Sequence, residues 1–98
     1  MTAIDEMVPV NPRISTIAVL GSGTMGRGIA QVAAMVGYRT RLYDPDGDAL
    51  TAGMKAVVAN LSKGVARGKV TSEVQSLCLG NLESTSDFAH AIGGAELI

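Results

Sequence analysis

Little in this sequence marks a specialised surface or chemistry. It holds one cysteine, Cys78, one histidine, His90, no tryptophan, and only Phe88, Tyr38 and Tyr43 as aromatics. A single thiol excludes an internal disulfide and fits a reducing, cytoplasmic setting. One histidine and one cysteine exclude the ligand clusters that hold zinc or other transition metals. A Ser/His/Asp arrangement cannot be built around His90 either, which reads as an exposed or locally hydrogen-bonded side chain on a short helix. Charge is also scarce, with 8 basic against 9 acidic residues and a formal net charge of −1. That balance argues against nucleic acid and anionic membranes as partners. No apolar run approaches the roughly 20 residues of a membrane-spanning helix. Residues 1–13 lack the basic start and apolar stretch of a secretory signal. With Asp5, Glu6, Pro9 and Pro12 they read as a flexible lead-in.

What is present is small and aliphatic. The chain has 98 residues, 47% of them hydrophobic and mostly Ala, Val and Leu, enough for one domain of tightly packed α/β layers. Its organising stretch is Ile17–Gly28. An apolar run, Ile17-Ala18-Val19-Leu20, meets Gly21-Ser22-Gly23-Thr24-Met25-Gly26, and a helical pattern follows. Strand, G-x-G-x-x-G, then helix is the order of a dinucleotide-binding βαβ unit. Gly21 permits the tight turn, Gly23 lets a diphosphate approach the backbone, and Gly26 lets helix and strand lie close. The free amides at the helix start, with the positive end of its dipole, then hold the phosphates. A bare glycine pattern is weak evidence, but here a second signal joins it. The β-prone run Tyr38–Tyr43 ends at Asp44, about 20 residues past the glycine turn, where such units place a ribose-binding carboxylate. Its charge would repel a 2′-phosphate, so NAD is favoured over NADP. The plainer role for Asp44 is a helix cap before Pro45, and the two roles are compatible.

The rest of the chain reads as alternating elements. Ile14–Leu20 is a strand buried on both faces. Thr24–Val36 is a helix with an apolar stripe of Met25, Ile29, Val32, Ala33 and Val36, stopped by Gly37. Gly28 is expected to keep this helix against the sheet, and Met25 either packs beneath the turn or touches the nicotinamide half of a cofactor. In the second strand Arg39 and Arg41 share one polar face, read as solvated charge. A long helix, about Asp48–Arg67, is capped by Asp46 or Asp44 and carries Leu50, Met54, Val57, Val58, Leu61 and Val65 at helical spacing, with Gly68 at its end. A shorter helix starts at Thr71 or Ser72. Ser72 and Gln75 form a capping-box pair, Val74 and Leu77 give an apolar side, and Gly80 ends it. Cys78 reads as a small buried hydrophobe. Asn81–Thr85 is a third strand, Ser86 or Asp87 caps a short helix to Ile92, and Ala95–Ile98 opens a fourth strand, an apolar stub expected of a piece of something longer. Asp44, Asp46 and Asp48 have the spacing of calcium-loop ligands, but Ala49 and Lys55 stand where glycine and glutamate are needed.

With these residues in hand, the chain resembles the N-terminal part of the 3-hydroxyacyl-CoA dehydrogenase family from about Ile14 to Ile98. The most specific match is Gly21–Val32, followed by Leu42-Tyr43-Asp44 and by Ala95-Glu96-Leu97-Ile98. Residues 45–80 are far more than the dozen or so of a simple crossover. They resemble the family's helical arm along CoA, a two-helix insertion at about 48–80. The fold implied is α/β, a Rossmann-type open parallel sheet with helices on both faces, strand order 3-2-1 with the beginning of strand 4, truncated after the start of the fourth strand. Residues 14–98 would be a partial NAD-binding domain. The cofactor-binding set is Gly21, Ser22, Gly23, Thr24, Met25, Gly26 and Asp44. The resemblance adds Asn60 and Arg67 as CoA contacts, with Lys63 competing. It also implies an acyl-CoA substrate and a homodimer formed through a C-terminal domain absent here. The reaction implied is reversible hydride transfer between 3-hydroxyacyl-CoA and NAD. The histidine and glutamate that work as its acid/base pair lie past Ile98 in the family, so no catalytic residue is assigned. Two alternatives are another β-hydroxyacid dehydrogenase, of the 3-hydroxyisobutyrate or 6-phosphogluconate type, and a non-enzymatic NAD-sensing module.

Overall fold

The computed structural model describes residues 16–97. The lead-in 1–13, the expected strand residues Ile14 and Ser15, and Ile98 lie outside the described residues. In chain order the elements are β1 (Thr16–Leu20), α1 (Thr24–Met35), β2 (Arg39–Tyr43), α2 (Gly47–Ala66), α3 (Ser72–Asn81), β3 (Leu82–Thr85), α4 (Phe88–Ile92) and β4 (Glu96–Leu97). The four strands form one parallel sheet in the order β3-β2-β1-β4. β1 sits inside it, with Val19 opposite Leu42 and Leu20 opposite Tyr43. Its Ile17, Ala18 and Val19 are buried, as an apolar run flanked by parallel neighbours demands.

Alternation along β2 sorts the two faces of the sheet. Thr40 and Leu42 are fully buried and Leu42 joins a core with Val19, Ala33 and Ala34, Val57 and Leu61, beneath α1, α2 and α3. Arg41 points the other way, to α4. Its guanidinium donates to the carbonyls of His90 (3.0 Å), Ala91 (3.3 Å) and Gly93 (2.8 Å), and Glu83 lies 4.0 Å from its Nε. Arg41 is thus no solvated charge. It satisfies carbonyls at the end of α4 that the helix itself leaves open. Glu83 also pairs with His90 at 2.5 Å, so His90 is locally bonded as expected. Tyr43 and Phe88 add an edge-to-face pair between β2 and α4.

Helix boundaries follow their caps. Asp46 caps α2 by accepting from the amides of Asp48 and Ala49, which leaves Asp44 free of that task. Gly37 (φ +107°) and Gly68 (φ +72°) occupy the left-handed positions just past α1 and α2. Three local expectations are corrected. The cap of α3 is Thr71, whose hydroxyl accepts from Val74 N, so the Ser72–Gln75 box does not form. Gly80 does not end α3, which runs on to Asn81. There the Asn81 amide donates to the Ala34 carbonyl and ties the helix end to α1. The buried residue of α3 is Cys78, whereas Leu77 is exposed. Cys78 meets α1 at the Gln31 carbonyl, and burial pushes its thiol pKa up.

The apolar stripe expected on α1 holds only in part: Ala33 is buried, and Ile29 and Val36 are half-buried against the core. The helix's other buried residues are Ala30 and Ala34, while Met25 and Val32 are exposed. Alanines let the helix sit close to the sheet, which larger side chains would prevent. The bulky residues Met25, Ile29, Val32 and Val36 instead line an open apolar groove with Ile17 and Tyr38. Gly28 is exposed and a methyl there would meet nothing within 4 Å, so it does not hold helix to sheet.

Candidate nucleotide site

At the carboxyl end of β1 the chain turns through Gly21, whose φ of +109° lies in the region that only glycine enters cheaply. Its amide donates to the Tyr43 carbonyl at 2.7 Å and fixes the turn to β2. A methyl on Gly26 would overlap the Gly21 carbonyl oxygen, so the start of α1 rests directly on the turn. Gly23 is the N-cap of α1 and has no side chain with which to cap it. The first-turn amides therefore have no side-chain partner from the cap, and a methyl on Gly23 would project into open space. This is a cradle with exposed donors and a positive dipole end, fit to take a diphosphate. Thr24 and Met25 stand exposed at its rim. Met25 is 79% exposed, so it does not pack beneath the turn.

Asp44 follows β2 directly and lies beside the turn. Its Oδ2 accepts from the Ser22 amide (2.9 Å) and from the Ser22 hydroxyl (2.8 Å), and its Oδ1 accepts from the Asp46 amide (2.9 Å). The Ser22 amide, then the Asp46 amide, then the Ser22 hydroxyl hold the carboxyl below the usual carboxylate pKa, against a smaller opposing effect of burial. Ser22 itself is buried, at 2% exposure. The fold thus brings six turn residues and Asp44, from two adjacent strands, to one end of the sheet.

Asn60, Lys63 and Arg67 are not brought to this place. All three are exposed, Asn60 and Lys63 on the later half of α2 and Arg67 at its C-cap. Gly53 of α2 touches Ser22; at 1.5 Å per residue, Asn60 lies about 10 Å and Arg67 about 21 Å further along the axis. Gly53 is the residue that reading the pattern missed. It falls on the same buried stripe as Leu50, Val57 and Leu61, and a methyl there would stand 2.9 Å from the Ser22 carbonyl oxygen. The signal was a glycine inside an apolar stripe, where helix propensity alone disfavours it. Among the described residues no group of His, Cys, Asp or Glu could hold a metal ion, and no helix is long and apolar enough to cross a membrane.

Known proteins resemble this chain in sequence and fold. Residues 16–98 match the family model described as 3-hydroxyacyl-CoA dehydrogenase, NAD binding domain. A 3-hydroxyadipyl-CoA dehydrogenase of Escherichia coli is 44% identical over 85 residues, 87% of this chain and 18% of that protein. A 3-hydroxybutyryl-CoA dehydrogenase of Mycobacterium tuberculosis is 38% identical over 76% of this chain and 26% of its own length. Among solved structures, a 3-hydroxybutyryl-CoA dehydrogenase of Escherichia coli superposes with a TM-score of 0.78 at 41% identity, covering 82% of this chain and 17% of that one. The (S)-3-hydroxybutyryl-CoA dehydrogenase of Ralstonia eutropha gives 0.74 at 28% identity, over 79% and 27%. The chain thus spans about a fifth to a quarter of the relatives it matches. Strand order, glycine turn, adjacent carboxylate and family match agree: the chain belongs to the 3-hydroxyacyl-CoA dehydrogenase family, through that family's NAD-binding domain.

Proposed function

We propose that Gly21, Ser22, Gly23, Thr24, Met25 and Gly26, with Asp44, hold the adenosine diphosphate half of NAD. The proposed activity is interconversion of 3-hydroxyacyl-CoA and 3-oxoacyl-CoA. The observation that carries this reading is the Asp44 carboxylate fastened beside an uncapped helix start. The amides of Thr24, Met25 and Gly26 would meet the diphosphate, and the space in front of Gly23 would admit it. Asp44 would accept a ribose hydroxyl at Oδ1, and its charge would oppose a 2′-phosphate. Held there, NAD would supply the nicotinamide that gives or takes a hydride at C3 of the substrate. Within this chain the work is binding and orientation. The His90–Glu83 pair imitates an acid/base dyad, but it sits by Arg39 and Asn81, where the strands enter the sheet. Ligands of such sheets bind at the opposite, carboxyl ends of the strands.

Asn60 and Arg67 on the arm formed by α2 and α3 are proposed to contact the CoA moiety. The exposed row they form with Lys63 supports this, since polyanionic CoA needs accessible donors. We place the protein in the cytoplasm, on its one buried free cysteine. Its partners would be acyl-CoA and a second copy joined through a C-terminal domain, not nucleic acid or membrane. The family match favours this over a 3-hydroxyisobutyrate or 6-phosphogluconate type of enzyme and over a sensing module. An NMR titration of the 98-residue chain tests it. NAD should shift the amides of residues 21–26 and 44 and leave 60–67 still, whereas CoA should do the reverse. Shifts from NAD centred elsewhere would overturn the assignment.

A further inference from the structure

We infer that Gly53 of α2 is a positioning residue for the nucleotide site: its missing side chain lets α2 press on Ser22, and Ser22 then holds the Asp44 carboxylate in the one pose that favours a free ribose 2′-hydroxyl. This rests on the reading above and extends it to a residue on another element. A methyl on Gly53 would lie 2.9 Å from the Ser22 carbonyl oxygen, closer than such atoms settle, and 3.2 Å from its Cβ, a tight contact. The obstructing atoms are main chain and Cβ, so no rotamer change relieves the clash. The turn cannot retreat, because Gly21 is tied to Tyr43 and lies directly under Gly26. If α2 lifts instead, its start moves too, and the Asp46 amide that meets Asp44 Oδ1 goes with it. Either movement disturbs the donors that fix Asp44.

The pose matters because a carboxylate has about four acceptor positions. Three are filled, two on Oδ2 by Ser22 and one on Oδ1 by the Asp46 amide. One position on Oδ1 is left for a ribose hydroxyl. A carboxylate held this way cannot swing aside from a 2′-phosphate, which offers charge and no donor. Once released, it can rotate, and the penalty against the phosphate falls. The neighbouring carboxylate of Asp46 does not compete, since its Oδ1 is turned to the Asp48 and Ala49 amides.

The experiment measures NAD and NADP dissociation constants by NMR for the 98-residue chain and its Gly53→Ala, Ser22→Ala and Gly80→Ala variants. It also follows the Asp44 carboxyl carbon through an acid titration without ligand. Gly53→Ala should weaken NAD binding about tenfold, lower the NAD-to-NADP preference and raise the pH at which Asp44 titrates. Ser22→Ala should lower the preference several-fold and raise the same titration. Gly80→Ala, where a methyl meets nothing, should change none of these. A folded Gly53→Ala chain with wild-type constants and wild-type Asp44 titration overturns the inference. If that variant does not fold, unchanged preference and titration in Ser22→Ala overturn it. A wild-type chain that does not bind NAD at all overturns the nucleotide assignment, and this inference with it; binding with equal constants in every variant overturns this inference alone.

Discussion

Gly26 and Gly28 stand two positions apart in α1 and respond oppositely to a methyl group. At Gly26 it overlaps a fixed carbonyl; at Gly28 it meets open space. Gly26→Ala should cost about 3 kcal/mol or more, as other forced overlaps do. Gly28→Ala should raise stability by about 0.5–1 kcal/mol through helix propensity. Urea unfolding of both variants checks the contrast. Tyr38 supplies a second residue-scale test. Its hydroxyl is buried with no partner among the described residues, and such a group costs about 1–3 kcal/mol. Tyr38→Phe should therefore be neutral or gain about 1 kcal/mol; a clear loss in melting temperature would reveal a partner. Asp44 titrates below the usual value near 3.8 because of its three donors. A folded-state value below the unfolded one means that its stabilisation is complete above about pH 4 and fades as pH falls toward the lowered value. Asp44→Asn should remove that share of acid destabilisation, seen as a shallower fall of the urea midpoint below pH 4.

At the scale of elements, caps and small residues decide more than apolar periodicity does. Thr71 rather than Ser72 caps α3, because the residue before the first helical turn is the one whose hydroxyl can reach the Val74 amide. Thr71→Ala should cost about 1 kcal/mol, and Ser72→Ala no more than a few tenths, in thermal or urea melts. The order of strands and helices was legible from turns and runs alone. Which side of α1 faces the sheet was not. The bulky stripe read from the periodicity lines a groove, and Ala30, Ala33 and Ala34 take the sheet side. Hydrophobic spacing finds an apolar face, but the distance between helix and sheet selects among apolar faces by volume. Arg41 was opaque for a related reason. A charge on a strand reads as solvated until a later element, here α4, supplies carbonyls for it.

For the whole molecule, the proposed site covers the adenosine diphosphate half of a nucleotide cradle, and among the described residues β4 pairs with β1 at Ile17 and Ala18. The 98-residue chain should therefore bind NAD weakly, with a dissociation constant above about 10 µM. Calorimetry that returns a submicromolar value would show that these residues hold the whole cofactor. The open sheet and the groove beside α1 belong to the same picture, a layered fold whose residues at the carboxyl ends of β1 and β2 converge although they are far apart in sequence.

The amino-acid sequence by itself determined the βαβ unit, the succession of strands and helices along the chain, the glycine turn and the acidic residue after β2. These depend on local backbone demands: a positive φ at Gly21, an apolar run for a buried strand, a helix start without a cap. Only the tertiary structure decided that Asp44 is held by Ser22, that Ser22 is pressed by Gly53, and that Arg41 closes α4. Those contacts join residues on different elements, the hydrogen bonds among them at about 3 Å, and such closeness is fixed by how layers pack, which no local pattern records.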